Sequence, residues 1–172
     1  QPRDPAAPAA EPGPLDEETH ARVLDHQPSG MIQGITEKGL YLIRIRSSAG
    51  STTHLPGTAV ELENVNVLGM TRHRDLSVMA QAELHGVVKD ILSDNPEVCL
   101  SFYNRAGNLT LKMHAFQLLP GIGKSKAISM VEIRGRTGWE TIASLDEACQ
   151  IDAADLLANR LCQEIADPHM TP

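Results

Sequence analysis

The sequence predicts an α+β protein in which a small β-barrel is followed by an all-α domain. Short apolar runs of strand length, with one helical stretch among them, fill most of residues 31–103, whereas apolar residues recur at helical spacing after residue 108. The 41% apolar content is ordinary for a globular protein, and the 3% aromatic content requires an aliphatic core. A chain of 172 residues suffices for one domain or two small ones.

The first 27 residues are predicted to form a disordered tail. Residues 1–14 contain five prolines and no large apolar side chain, so this segment cannot bury enough surface to offset its chain entropy. An acidic run follows at residues 16–18, and such residues suit the positive end of a helix. We therefore expect at most a frayed helical turn from Leu15 to Leu24.

A β-hairpin is the first ordered element predicted after the tail. The segments MIQGIT and LYLIRIR flank a turn at residues 37–39. Ile43 and Ile45 alternate with Arg44 and Arg46, which places the isoleucines on one face of the strand and the arginines on the other.

The remaining barrel elements are shorter. A Pro56-Gly57 turn separates two short strands, and Asp75 is the predicted cap of a helix whose apolar residues recur at helical spacing. We expect strands at Thr52–Leu55, Ala59–Glu63 and Val65–Met70, a helix from Leu76, and a strand VCLSFY from Val98. Several short strands with one helix are typical of a small barrel of the oligonucleotide-binding kind, here at residues 28–109.

Residues 110–168 are predicted to form the all-α domain. Apolar spacing indicates two pairs of helices, and a break rich in glycine and proline separates the members of the first pair. Asp152 is a favourable N-cap for the last helix. The predicted helices cover Thr110–Leu119, Lys124–Arg134, Thr141–Cys149 and Ala153–Ile165.

The net charge of −7 conceals one basic stretch. Residues 110–136 carry five basic side chains and one acidic side chain, whereas residues 1–27 and 137–172 carry net charges of −4 and −6. The overall acidity argues against a simple basic coat for nucleic acid. A basic segment between acidic flanks can still confine contact with a polyanion to one face.

The break in the first helix pair carries the most informative motif. The segment FQLLPGIGKSKA, residues 116–127, resembles the helix-hairpin-helix motif of many DNA- and RNA-processing proteins. Gly121 and Gly123 permit a sharp turn and a close approach of the backbone to another molecule. Together with Lys124, they would present amides at a helix start, where free N–H groups and the helix dipole favour a phosphate. Ile122 is expected to point inward and lock the two helices together.

The candidate nucleic-acid-binding residues surround this turn, and the lysines add charge near the expected phosphate. They are Gly121, Ile122, Gly123, Lys124, Ser125, Lys126, Lys112, Arg134 and Arg136. Alternatively, the Gly-x-Gly segment makes a tight turn between helices and binds nothing. The surrounding cations favour phosphate binding, because a purely structural turn does not require them.

Single residues argue against two catalytic motifs. A nucleotide-binding P-loop would need a glycine in place of Leu118 and a preceding strand. A base-excision glycosylase would have its catalytic lysine where Ser125 stands. Cys99, Cys149 and Cys162 are too widely spaced for a disulfide framework or a compact metal site, and we expect no metal and no cofactor.

Several stretches resemble an archaeal family called domain of unknown function 655. They are MIQGITEKGLYLIRI, LSVMAQAELHGVVKDIL, FYNRAGNLTLKMHAFQLLPGIGKSKA and a tail up to RLCQEIADP. Positions that match the family pattern are Asn104, Ala106, Thr110, His114 and residues 118–124. The resemblance implies a small β-barrel joined to a helix-hairpin-helix domain, an archaeal source, and binding of nucleotides or RNA. Ser125 departs from the pattern, since a second basic residue is usual there.

We expect the protein to bind the backbone of RNA or DNA through the hairpin, without sequence preference. The main alternative is a protein-interaction adaptor that docks on a larger nucleic-acid-processing complex, and an enzyme is a third and weaker hypothesis. No apolar run reaches the roughly 18 residues of a membrane span, so we expect a cytoplasmic protein with no membrane partner.

Overall fold

The structure, a computed structural model, describes residues 13–47 and 52–170. An antiparallel sheet comes first and helices follow it. The strands are β1 His20–His26, β2 Met31–Thr36, β3 Leu42–Arg46, β4 Ala59–Glu61 and β5 Asn66–Met70. Their order across the five-stranded sheet is β4-β1-β2-β3-β5.

The β2–β3 hairpin confirms the predicted alternation. Ile32 pairs with Ile45 in an antiparallel register. Ile43 and Ile45 are buried, whereas Arg44 and Arg46 are exposed. The hairpin therefore forms because its isoleucines supply one continuous apolar face to the sheet.

The sheet separates two clusters of buried apolar side chains. The larger cluster contains Leu24, Ile35 and Leu42 from the sheet and side chains from all five α-helices described below. The smaller cluster includes Ile43 and Ile45 on the opposite face. The larger cluster therefore holds the helices against the sheet. The division into two domains at residue 110 stays a prediction.

Most of the α-helices begin at a side-chain cap. They are α1 Val78–Asp94, α2 Pro96–Arg105, α3 Lys124–Arg134, α4 Ile142–Cys149 and α5 Ala153–Ala166. Ser77, Thr141 and Asp152 accept backbone N–H groups at the starts of α1, α4 and α5. Helices α3, α4 and α5 agree with the predicted ranges to within one residue. The cap of α1 is Ser77 rather than the predicted Asp75.

Strand β1 corrects the prediction for the N-terminal segment. Residues 20–26 pair with β2 and β4, so they form neither a helical turn nor part of a disordered tail. Val23 and Leu24 are both fully buried, in different clusters, and a β-bulge follows Val23. Burial on both faces and the bulge together hide the period of two in the sequence. Residues 1–12 of the predicted tail lie outside the described residues.

The segment VCLSFY belongs to α2, and the prediction of a strand there was wrong. Pro96 occupies the first helical position, where its missing N–H does no harm. Cys99 and Tyr103 lie four residues apart and are both buried, which is the period of one helix face. The Tyr103 hydroxyl donates to the Ala153 carbonyl at 2.8 Å and ties α2 to α5.

The described sheet is open, and the predicted closure into a barrel is not observed. In the part of the chain that the structure describes, β4 pairs with β1 alone and β5 pairs with β3 alone. A strand was predicted at Thr52–Leu55, but these four residues, all within the described part of the chain, form no strand. Strand β4 ends at Glu61, because the 3₁₀-helix Leu62–Asn64 begins there.

The predicted helix from Thr110 to Leu119 is replaced by a loop and a short 3₁₀-helix. An isolated bridge joins Asn108 to His114 and closes the loop. Only the 3₁₀-helix Ala115–Leu118 follows, a single turn. Pro120 disfavours a helical backbone at Leu119, the residue before it, and Leu119 is extended. The 3₁₀-helix therefore cannot continue into the glycine segment.

Candidate functional site

A glycine turn joins the 3₁₀-helix to α3. The Ile122 N–H donates to the Leu119 carbonyl at 3.1 Å and closes the turn. Gly121 has a φ of 83°, a conformation that glycine adopts at low cost. Gly123, with φ of −88° and ψ of −175°, is the N-cap of α3. Ile122 is partly buried against the larger core cluster, in agreement with its expected inward direction.

The glycine turn presents backbone donors to the outside. Among the residues that the structure describes, the amides of Gly121, Gly123, Lys124 and Ser125 find no acceptor. Within α3, the Ala127 N–H, which donates to the Gly123 carbonyl at 3.0 Å, is the first amide to find an acceptor. A Cβ atom on either glycine would meet no atom within 4 Å. An anion could therefore reach these donors without displacing a side chain.

His114 organises the segment that leads into the turn. Its Nδ1 accepts the Phe116 N–H at 3.0 Å, and the Gln117 Oε1 accepts the His114 N–H at 3.0 Å. Together these two bonds form a capping box at the start of the 3₁₀-helix. Burial lowers the pKa of His114, and the charge of Arg134 lowers it further. Both effects favour the neutral imidazole that the capping bond requires.

Two of the predicted cations have partners inside the protein. The Arg134 guanidinium donates to the carbonyls of Tyr103 and Ala106, at 3.1 and 2.7 Å. The Lys126 ammonium donates to the carbonyl of Cys149 at the end of α4. These bonds satisfy carbonyls at helix ends and connect α3 to α2 and α4. Both side chains therefore have a structural role that the charge pattern did not reveal.

The other predicted cations are exposed and have no carboxylate partner in the described ranges. They are Lys112, Lys124 and Arg136. By contrast, Lys89 pairs with Asp152 at 2.9 Å. Lys124 adjoins the glycine turn, whereas Arg136 lies beyond the far end of α3, about 16 Å of helix away. The predicted site residues are therefore spread along α3 rather than gathered at one point.

A groove of about 540 Å³ lies beside the turn, between the loop before the 3₁₀-helix and α3. It brings together Lys112, Lys124 and Arg134 from the predicted set. It also contains Leu111, which is fully exposed, and Ile128, which is 50% exposed. The sequence interpretation missed these two apolar residues, because Leu111 was assigned to a helix that the structure does not contain. The signal available in the sequence was the apolar Leu111 directly beside Lys112.

The surroundings of the three cysteines disfavour the thiolate form. Burial raises the pKa of Cys99 to about 12 and that of Cys162 to about 11, and it also raises the pKa of Cys149. Protonated thiols are weak nucleophiles and weak metal ligands. Within residues 13–47 and 52–170, no group of three or more His, Cys, Asp or Glu side chains could hold a metal ion. The helices in that part of the chain lack the length and apolar character of a membrane span.

Two other groups of side chains are of kinds that contact nucleic acids, a pair of arginines before α1 and an aromatic pair in α2. Arg72 and Arg74 are exposed, and Arg72 lies 3.6 Å from a carboxylate oxygen of Asp75. Tyr103 is fully buried and packs edge-to-face against Phe102. The aromatic pair of α2 therefore belongs to the core, which leaves the basic segment around the glycine turn as the candidate site.

Comparison with known proteins identifies relatives over nearly the whole chain. An uncharacterised protein of Methanocaldococcus jannaschii, MJ0038, is 23% identical in an alignment 165 positions long, and the alignment covers 87% of this chain and 75% of the relative. The crystal structure of Af1531 from Archaeoglobus fulgidus superposes with a TM-score of 0.81 at 23% identity, and the match covers 90% of this chain and 97% of that one. Residues 18–171 match the family described as a protein of unknown function, DUF655. The chain therefore belongs to the DUF655 family.

Proposed function

We propose that this protein binds the sugar-phosphate backbone of RNA or DNA without sequence preference, with one phosphate held at the glycine turn. The observation that carries the proposal is the open row of amides at Gly121, Gly123, Lys124 and Ser125, for which the described residues offer no acceptor. Free N–H groups at a helix start, aligned with the helix dipole, favour a phosphate. Such non-specific binding typically has a dissociation constant of roughly 10⁻⁴ to 10⁻⁶ M at physiological salt.

The surrounding charges support a polyanionic ligand. Lys112, Lys124 and Arg136 are exposed and form no ion pair among the described residues, so their charge is uncompensated. Lys126 and Arg134 add to the same positive field while carbonyls hold their side chains. Acidic flanks on either side of the segment would repel other parts of the polymer and confine it to this face.

In this proposal, the surrounding fold supports the glycine turn. The glycine segment would act as a reduced helix-hairpin-helix, with Ala115–Leu118 in place of the first helix and α3 as the second. The sheet would act as a platform of the oligonucleotide-binding kind. We also propose that the protein is cytoplasmic and that it works with a larger nucleic-acid-processing complex.

A protein-docking role is the second candidate, and one observation favours it. Large apolar side chains are exposed near the turn at Leu109, Leu111 and Ile128. Neighbouring exposed apolar side chains often mark interaction surfaces. An adaptor would use this apolar face for a protein partner, and the basic residues would only set the orientation of that partner.

Salt dependence separates the two candidates. We expect the affinity of the full chain for a short single strand of RNA or DNA to fall steeply with salt. The slope of log affinity against log salt should be about −1.4, as expected for about two neutralised phosphates of a single strand. Fluorescence anisotropy at several salt concentrations measures this slope. A slope near zero would contradict phosphate binding and favour docking through the apolar face.

A further inference from the structure

The groove beside the glycine turn has a composition that phosphate binding alone does not require. Its volume of about 540 Å³ lies within the range of roughly 300–1,000 Å³ that is usual for small-molecule sites. Its walls include the apolar side chains of Leu111 and Ile128, both open to solvent. A site for phosphate oxygens alone would be lined by donors and cations, so these walls indicate a ligand with apolar surface.

Polar groups lie in the same groove and have unused hydrogen-bonding capacity. The side chain of Asn108 forms no hydrogen bond with the described residues. The Gln117 Oε1 accepts the His114 N–H, whereas its Nε2 group has no partner in that part of the chain. Two side-chain amides therefore remain free to pair with a ligand that has both donors and acceptors at its edge.

The charged rim of the groove indicates that the ligand is anionic. Lys112, Lys124 and Arg134 line the groove, against one carboxylate, that of Glu132. Lys124 is also the first residue of α3, so the groove and the glycine turn meet at this side chain. A ligand that fills the groove would therefore contact Lys124, next to the proposed phosphate site.

We propose that the groove accommodates an unstacked base of a single-stranded nucleic acid, next to the phosphate held at the turn. This inference rests on the proposed function and narrows its ligand from any nucleic acid to one with an accessible base. A base has apolar faces that fit between Leu111 and Ile128, polar edges that suit Asn108 and Gln117, and a neighbouring phosphate that suits Lys124. A paired and stacked base of a duplex would first have to be extruded at a cost in free energy.

The test compares an oligonucleotide that carries bases with an abasic strand of the same length. We expect the full wild-type chain to bind a single-stranded oligo-dT or oligo-U about tenfold more tightly than the abasic strand, because the base buries apolar surface and forms hydrogen bonds that the backbone alone does not. The double variant Leu111→Ser/Ile128→Ser should bind the base-containing strand as weakly as the abasic one. Its affinity for the abasic strand should equal that of the wild type.

Matched variants control for loss of exposed apolar surface. Ile133 lies on the same helix as Ile128 and is 45% exposed, but it does not line the groove. Leu55 is likewise exposed and lies outside the groove. Because all four side chains are exposed, neither double variant should unfold. The variant Leu55→Ser/Ile133→Ser should therefore retain the full preference for the base-containing strand.

Three results would overturn the inference, and each would refute a different part of the proposal. If the wild type bound both strands equally, with a salt slope of about −1.4, the phosphate site would be supported and the base site would be refuted. Absence of binding to either strand would remove the proposed function as well. Binding of an acidic amphipathic peptide that Leu111→Ser/Ile128→Ser abolishes, without binding of nucleic acid, would assign the groove to a protein partner.

Discussion

The substitution Gly123→Asp is expected to weaken nucleic-acid binding by about tenfold or more, without destabilising the protein. Gly123 is the N-cap of α3 and has an extended backbone that any residue can adopt, and an added Cβ would meet no atom within 4 Å. Aspartate is among the best N-cap residues, and its carboxylate would accept a free amide of the first turn. The same carboxylate would occupy the donors that a phosphate needs and would repel the phosphate.

The expected stability of this variant makes the experiment specific. Relative to glycine, a capping aspartate contributes roughly a few tenths of a kcal/mol, so the free energy of unfolding in urea should equal or slightly exceed that of the wild type. Gly123→Ser is the matched control, since serine also caps a helix and adds no charge. Its affinity should lie between those of the wild type and Gly123→Asp. A folded Gly123→Asp protein that binds like the wild type would contradict a phosphate site at the turn.

The substitution Phe116→Ala is expected to lower the free energy of unfolding by about 3–5 kcal/mol, the largest stability effect we predict. Phe116 is fully buried in the 3₁₀-helix that precedes the turn. Its ring centroid lies 5.9 Å from that of Tyr103 and 4.5 Å from that of His114, and the Arg134 guanidinium lies 5.4 Å from it. Truncation would leave a cavity and remove the support for the capping histidine and the arginine.

Urea denaturation followed by circular dichroism measures this loss. Phe116→Leu is the milder comparison, because it retains most of the buried apolar volume, and its cost should be clearly smaller. Both variants should retain m values like that of the wild type if they only lose packing. A cost below about 1 kcal/mol for Phe116→Ala would show that the aromatic cluster does not hold the segment before the turn.

Elements with a regular apolar period were predictable from the sequence, and elements with a masked period were not. The β2–β3 hairpin follows from the alternation of Ile43 and Ile45 with arginines. Helices α4 and α5 follow from helical spacing and from caps at Thr141 and Asp152. Strand β1 escaped prediction because a bulge and burial on both faces conceal its alternation. Helix α2 was mistaken for a strand, although Cys99 and Tyr103 are four residues apart.

The loop before the turn could not be deduced from residue preferences alone. Histidine is not a preferred N-cap residue, so the role of His114 depends on where Phe116 and Gln117 lie in three dimensions. Without that cap, the run from Thr110 looked like the start of a helix. The open sheet likewise depends on which strand edges pair, and short strands do not specify their partners.

The glycine turn was predictable from the sequence. The sequence did not reveal which of the nearby basic side chains are free and which form hydrogen bonds within the fold. Gly121 and Gly123 predict a sharp turn before a helix, and in the structure both glycines lie in the turn that precedes α3. The sequence shows that residues 110–136 are basic, but it cannot show which carbonyls lie near a given side chain. The sequence therefore predicted the same phosphate-binding role for Arg134, Lys126 and Lys124. In the structure, the side chains of Arg134 and Lys126 donate to backbone carbonyls of the fold.

Backbone amide chemical shifts, followed by NMR while a short single strand is added, test the phosphate site most directly. If a phosphate binds at the turn, the largest changes should occur at the amides of Gly121, Gly123, Lys124 and Ser125, because a new acceptor alters the shift of a donor N–H. Such changes should disappear at high salt. Saturable binding that leaves these four resonances unmoved and shifts residues elsewhere would contradict the account.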